Sequence, residues 1–418
     1  MQIGPNPSLH LTYCSNLFPA NGWPEVFSNL QRYAPALKAR LSPHAPFGLG
    51  LRLSSRESEA LLSGQEMDRF KAFLDENGLY LFTLNGFPFG AFHRQRIKAG
   101  VFAPDWRTDM RVHYTLRLIE ILRRLLPEGI DGGISTSPLT YKRWMIANDP
   151  STWESIVQNL ARIASALVSV RRETGKRIHL DLEPEPDGLL ENSGDILDFY
   201  QRYLLPIGAP LLARQTWTSV QQAERNLLKH IRICYDASHM AVAYEEPAAA
   251  VDRLSRAEIR IGKVQISAAM EVAVPPDRDR LIEIGRQLDP FRESIYLHQV
   301  VERESNGTLR RYADLSDLYP IPWSREQRTW RIHFHLPLFV SEFGYCRSTR
   351  EETEVLLRRV REKGLTQHLE IETYGWEFLP PELRRDRLDA MTEEYRWVLG
   401  RLKMIGKENR SDRTPDAA

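Results

Sequence analysis

Short apolar runs of strand character alternate with segments of helical period along almost the whole chain of 418 residues. That alternation restricts the chain to folds assembled from parallel βα units. The strand-like runs fall at 9–14, 47–54, 79–85, 132–136, 178–183, 231–236, 261–267 and 368–372. The segments between them carry helix punctuation. Val26, Phe27, Leu30, Tyr33, Leu37 and Leu41 recur on one face behind Pro24, which a first helical turn tolerates. The stripe Met67, Phe70, Phe73 and Leu74 stops at Asn77-Gly78, and Leu116, Ile119, Leu122 and Leu125 stop before Pro127.

Repeats of this length predict an α/β fold, a closed (β/α)8 TIM barrel whose chemistry sits at the C-terminal ends of the strands. An open doubly wound sheet is the alternative. The interval between the seventh and eighth runs is too long for one helix and holds two further strand-like runs, 295–302 and 330–339. A strand-containing insertion over the barrel mouth, about 290–345, is therefore expected between strands seven and eight. The barrel is read as a single domain over 1–403, and the polar, aperiodic 404–418 as a disordered tail.

Composition narrows the function classes. Lys+Arg 56 against Asp+Glu 55 leaves a formal charge of +1, so no global field gathers phosphate backbones and no nucleic-acid partner is expected. Only Cys14, Cys234 and Cys346 occur, without CxxC spacing, which fits a reducing compartment. The first residues lack a basic stretch followed by an apolar one, and no apolar run reaches the roughly 18 to 20 residues of a membrane span. A cytoplasmic location is expected.

Two strands share a pattern that bears on chemistry. In His179-Leu180-Asp181-Leu182-Glu183 and His368-Leu369-Glu370-Ile371-Glu372 the polar residues fall on one face, because side chains alternate with period 2. With the leucines packed outward on helices, the His, Asp and Glu side chains point into the lumen, where carboxylates need partners. Arg232 and Lys263 share parity with the next strands' polar positions, so Asp181 is expected to pair with Arg232, and Glu370 with Lys263. His179 and His368 lie low in the barrel and read as structural.

Above these layers, at the strand ends, stand Glu183, Asp236, Gln265 and Glu372. Carboxylates converging on one mouth cannot all stay ionised without a cation, whereas a divalent metal turns their repulsion into coordination. His239 follows Asp236 in the run DASH, and the insertion adds His298 and the pair His333 and His335 on one strand face. Imidazoles among carboxylates favour Mn, Zn, Co or Fe over Mg. Each residue also has an ordinary reading: a helix cap or loop ion pair for a carboxylate, a hydrogen-bonded structural side chain for a histidine. Cys14 reads as a small buried residue.

The loop 85–94, Asn-Gly-Phe-Pro-Phe-Gly-Ala-Phe-His-Arg, is aromatic-rich, and 101–106 continues it. It lines an apolar pocket beside a polar centre or seals the barrel top. The substrate contacts expected are Asn16, Asn85, His239, His298, Phe87 and Trp106. Gly48 and Gly50 lie inside a strand and lack the context of a phosphate cradle, and no GxSxG, HExxH or Walker sequence occurs.

Glu183 in HLDLEPEP, Asp236 and His239 in DASH and Glu372 in HLEIET resemble the metal and substrate positions of the xylose-isomerase-like TIM-barrel superfamily, which includes sugar epimerases and endonuclease-IV-type enzymes. More closely, LTYCSN at 11–16, FGLGLRLS at 47–54, GLYLFTLNGFPFG at 78–90, ISTSPL at 134–139, YLHQVV at 296–301, HFHLPLF at 333–339 and HLEIETYGW at 368–376 resemble the EboE-like family. That resemblance implies a TIM barrel handling a secondary-metabolite precursor for export, so-called metabolite traffic, alongside a prenyltransferase-like membrane partner. Where many epimerases of the superfamily carry a ligand histidine on strand seven, this chain has Gln265, a neutral and weaker donor. Three functions are open. One is a metal-dependent isomerase or epimerase, with Glu183 and Glu372 relaying a proton through an enediolate. The second is a non-catalytic carrier of a hydrophobic or prenylated metabolite, and the third an endonuclease-IV-type repair enzyme.

Overall fold

The computed structural model describes residues 1–4, 8–90, 98–145, 149–292, 296–374 and 376–411. The eight expected strands form: β1 (Leu9–Tyr13), β2 (Phe47–Arg52), β3 (Leu79–Asn85), β4 (Asp131–Thr136), β5 (Arg177–Leu182), β6 (Ile231–Asp236), β7 (Ile261–Ile266) and β8 (His368–Ile371). They pair in parallel from β2 through β7 to β8 and on to β1. The circle closes where Cys14 bridges to Gly50, with Thr12 Oγ1 donating to the Gly48 carbonyl at 3.0 Å. The fold is a TIM barrel, and the doubly wound alternative falls with that closure.

Helices form where the sequence pattern places them. In Pro150–Thr174, Asp149 caps the N-terminus by accepting from the Ser151 amide, and Pro150 occupies a first-turn position where no N–H is needed. Gly175 ends it at φ 72, a left-handed conformation that costs a glycine nothing. Ile156, Leu160, Ile163 and Leu167 are wholly buried against the barrel, each contributing about 1.5–3 kcal/mol by leaving water.

The lumen holds polar side chains in place of the usual branched apolar layers. Lys263 Nζ meets Glu370 Oε2 at 2.5 Å and Ser135 Oγ at 3.0 Å, as expected for the first pair. The second expected pair does not form. Asp181 and Arg232 are register partners on β5 and β6, but Asp181 Oδ1 lies 2.6 Å from Nδ1 of His179. Arg232, near the base of β6, reaches down to Asp131 at 3.7 Å and donates to the Lys229 carbonyl. Its guanidinium finds acceptors there without being drawn into the lumen. Room for these side chains comes from glycines: a Cβ at Gly262 would overlap Asp181, and one at Gly50 would overlap Glu370.

Beyond β7 the chain builds a second, antiparallel sheet, in spatial order 309–312, 300–304, 328–332, 270–274, 346–348 and 342–343. It begins at Met270, ahead of the expected boundary, because the run Met270–Val274 follows β7 too closely to stand out in sequence. The strands Val300–Glu304 and Arg328–Ile332 replace the expected 295–302 and 330–339; residues 293–295 lie outside the described residues. Residues 333–339 leave the strand before Pro337, which has no N–H to pair. The sheet has its own core, in which Trp330, Ile332, Ile284 and Leu288 pack together. The last helix, Arg387–Ser411, runs past residue 404, where the tail was expected to begin; 412–418 lie outside the described residues. Among the described residues no helix is long and apolar enough to cross a membrane.

Candidate metal centre

Three barrel strands deliver carboxylates to the mouth. Glu183 follows β5, with its amide donating to the Thr136 carbonyl at 3.0 Å. Glu372 follows β8, with its amide donating to the Ile266 carbonyl at 3.1 Å. Asp236 ends β6 and caps the short helix Ala237–Val242, its Oδ1 accepting from the His239 amide and from Ser267 Oγ, each at 2.9 Å. That cap explains the spacing of DASH: it holds His239, three residues on, over the same strand end. The ordinary role of Asp236 and its place at the centre therefore coexist.

All three are buried, and one oxygen of each, Glu183 Oε2, Asp236 Oδ2 and Glu372 Oε2, has no hydrogen-bond partner among the described residues. Burial, reinforced by Asp236, holds the Glu183 carboxyl well above its usual range. Burial and then the charge of Glu183 do the same for Glu372. Asn16 and Asn85 both donate to the other oxygen of Glu372, which fixes its orientation.

The histidines arrive with their tautomers set. Nδ1 of His239 lies 2.9 Å from the Pro184 carbonyl, and Nδ1 of His335 lies 2.8 Å from the Glu372 carbonyl. Both acceptors lack a proton, so each Nδ1 must donate. Gln299 donates its amide to the Pro186 carbonyl at 2.9 Å, which turns its Oε1 toward Nδ1 of His333 at 2.6 Å. In the neutral imidazole this leaves Nε2 as a bare acceptor on all three rings. Burial, then the neighbouring histidines, pushes His239 and His333 well below the ordinary imidazole range, so both stay neutral.

Two of those acceptors, Nε2 of His333 and of His335, lie 3.3 Å apart. Facing lone pairs repel unless a cation lies between them. A tetrahedral ion with metal–nitrogen bonds of about 2.0–2.1 Å places its ligands about 3.3–3.4 Å apart, so the spacing fits. Ligand atoms approach within 4.8 Å of one another in three overlapping sets: His239, His333 and His335; Glu183, Asp236 and His239; Asp236, His335 and Glu372. The donor set of imidazole and carboxylate, with orphaned buried oxygens, fits a divalent cation.

The other expected site residues take different positions. The amide oxygen of Gln265 accepts from the Cys234 thiol at 3.1 Å, so the donor that strand seven was to supply is already engaged. His298 sits behind His333, its Nδ1 on the His333 carbonyl at 2.9 Å, and supports the segment that carries it. Trp106 is wholly buried in the main core, and Phe87 packs with Phe102 and Tyr141. These aromatics seal the barrel top; residues 91–94 of the loop lie outside the described residues. Glu185 was not anticipated. It is buried, accepts from Gln299 at 3.2 Å, lies 3.6 Å from Nδ1 of His333, and is pushed up to about 8 by burial. The repeat Glu183-Pro184-Glu185-Pro186 was its only signal.

No family model matches the chain, and no curated protein sequence does. Solved structures do. A xylose isomerase domain protein from Planctomyces limnophilus aligns over 96% of this chain and 98% of its own, with a TM-score of 0.50 at 12% identity. The IOLI protein with a binding zinc atom aligns over 95% and 99%, with a TM-score of 0.47 at 9% identity. The probable 3-DHS dehydratase AsbF involved in petrobactin synthesis, from Bacillus anthracis, aligns over 94% and 99%, with a TM-score of 0.44 at 11% identity. What the chain shares with the xylose isomerase domain protein is the TIM-barrel fold.

Proposed function

We propose that the chain is a divalent-metal-dependent enzyme of the sugar isomerase or epimerase type, which removes and returns a proton at carbon beside a carbonyl of a small polyhydroxylated substrate. The observation that carries this reading is the convergence of three tautomer-fixed histidines on three buried carboxylates. Asp236, His239, His333 and His335 would hold the ion, with Glu183 and Glu372 beside it; Mn, Zn or Co suits the donors. Bound there, the ion would polarise adjacent carbonyl and hydroxyl oxygens. The substrate class is suggested by the xylose isomerase domain protein that shares the fold.

The proton chemistry falls to Glu183 and Glu372. They rise from β5 and β8, each keeps a buried oxygen without a partner among the described residues, and burial raises the proton affinity of both. One carboxylate takes the proton from the carbon beside the carbonyl, leaving an enediolate. In epimerisation the other carboxyl returns a proton to the opposite face of that carbon; in isomerisation a proton goes back to the neighbouring carbon while the hydroxyl proton passes to the former carbonyl oxygen. Elemental analysis, together with deuterium incorporation from heavy water into a panel of ketoses and aldoses, tests the reading. About one divalent ion per chain is expected, and Glu183→Gln should keep the ion while losing exchange. A chain without stoichiometric metal, or exchange untouched by Glu183→Gln, would overturn it.

The cellular setting we propose follows the EboE-like resemblance: metabolite traffic in the cytoplasm beside a membrane prenyltransferase-like partner, tested by co-purification. The packing of Phe87 and Phe102 onto Tyr141 does not favour a non-catalytic carrier of a prenylated ligand, which needs an open apolar cavity.

A further inference from the structure

The opposite end of the barrel carries a feature that the mouth chemistry does not use. At the N-terminal ends of the strands a cavity of about 990 Å³ opens to the outside. Arg177, Arg225, Lys229, Arg232 and Arg260 line it, against the carboxylates of Asp131 and Glu258. Asp131 is already bound to Arg177 at 2.7 Å and to Arg232 at 3.7 Å. Among the described residues Arg225, Lys229 and Arg260 have no carboxylate partner; Arg225 spends its donors on the neutral Gln222. The whole chain carries only +1, so this concentration of positive charge is local.

The floor adds a second observation. His179 and His368 line the same cavity, stacked with ring centroids 5.3 Å apart, and each is 1% exposed. Nε2 of His179 and both ring nitrogens of His368 lack a hydrogen-bond partner among the described residues. Buried polar atoms without partners cost free energy in a finished core, yet they are ready-made contacts for a ligand. The cavity thus joins a cationic rim, three of whose members lack a counter-charge, to a hydrogen-bonding floor.

We propose that the base of the barrel binds a small phosphorylated anion, a site distinct from the metal centre at the mouth. Guanidinium groups match phosphate oxygens in a bidentate fork, and the several cations suit a ligand with more than one negative charge better than a monocarboxylate. The recess suits a small molecule, with its phosphate between Lys229 and Arg260 and its uncharged part toward the histidines. This site does not depend on the proposed sugar chemistry.

Calorimetric titration of the full chain with orthophosphate, pyrophosphate and a sugar phosphate at low ionic strength tests it. Saturable binding is expected, weakened at least about 10-fold in the Lys229→Gln/Arg260→Gln variant, because each lost charge-assisted contact matters. Both side chains lie at the rim and outside the core, and an unchanged circular-dichroism spectrum and melting temperature would show that the variant folds. Arg40→Gln, on the helix Trp23–Leu41 away from this cavity, should bind as the parent does. No saturation by about 10 mM of any of the three ligands would overturn the proposal. So would equal affinity in the double variant, an equal loss in Arg40→Gln, or binding only to phosphatidic acid vesicles.

Discussion

Lys263 and Glu370 form an ion pair at 2.5 Å with both side chains wholly out of solvent, in the middle of the barrel. Neither charge has water to fall back on, so breaking the pair costs more than the pair itself contributes. Lys263→Met should destabilise the fold by about 3–5 kcal/mol, and Lys263→Met combined with Glu370→Leu should recover most of that loss. Urea unfolding of the two variants decides it. A double variant no better than the single one would count against this account.

Metal removal should be visible as lost stability. Glu183 and Glu372, whose ionisation burial opposes, rest more easily beside a cation, so a chelator should lower the melting temperature and Zn or Mn should restore it. At about 100 times the dissociation constant the ion adds about 2.7 kcal/mol. Asp236→Ala should abolish the response. A melting curve indifferent to chelator and metal would dismiss the site.

The insertion is expected to contribute to affinity as well as to cover the mouth. His335→Ala removes a donor outright, and Gln299→Ala frees the ring of His333 by deleting its Nδ1 acceptor. Loss of an outer hydrogen-bond partner typically weakens metal binding about 10- to 100-fold, and His335→Ala should exceed that. Competition with a fluorescent chelator reads both constants; unchanged values would confine the site to the barrel carboxylates.

Glu394 should set a pH dependence of stability. It accepts from Tyr13 Oη at 2.6 Å, Thr373 Oγ1 at 2.8 Å and the Leu338 amide at 2.9 Å, yet burial outweighs these bonds and pushes its pKa from 4.5 up to about 7. Below about 4.5 both folded and unfolded states hold the proton and no penalty arises. Between about 4.5 and 7 the unfolded chain releases the proton first, so this residue lowers stability as pH rises, and its contribution levels off above about 7. The loss is on the order of 3 kcal/mol. Glu394→Gln should flatten that part of the profile in denaturant titrations across pH, and an unchanged slope would place its origin elsewhere.

The barrel was legible because its signals are local: period-2 strands, helical stripes, and Pro or Gly at the joints. The strand-end residues Glu183, Asp236 and Glu372 were legible for the same reason, as were the histidine types. What orients those histidines was not. The acceptors at Pro184 and Glu372 are main-chain carbonyls, which leave no trace in side-chain pattern. Parity suggested the Asp181–Arg232 pair but says nothing about how far a long side chain travels, and Arg232 travels toward the wet end. The cations of the base without a carboxylate partner among the described residues come from one helix, Arg225 and Lys229, and from Arg260 just ahead of β7, so no single stretch of sequence announces them.

The glycines of the lumen make the polar interior a property of neighbouring strands. A carboxylate on β8 is admitted by an empty position on β2, and one on β5 by an empty position on β7. Substituting Ala at residue 50 or 262 would therefore displace a carboxyl group two or more strands away in sequence. Relatives that share this ionic interior should be recognisable by those two missing side chains, even where every residue of the mouth has changed.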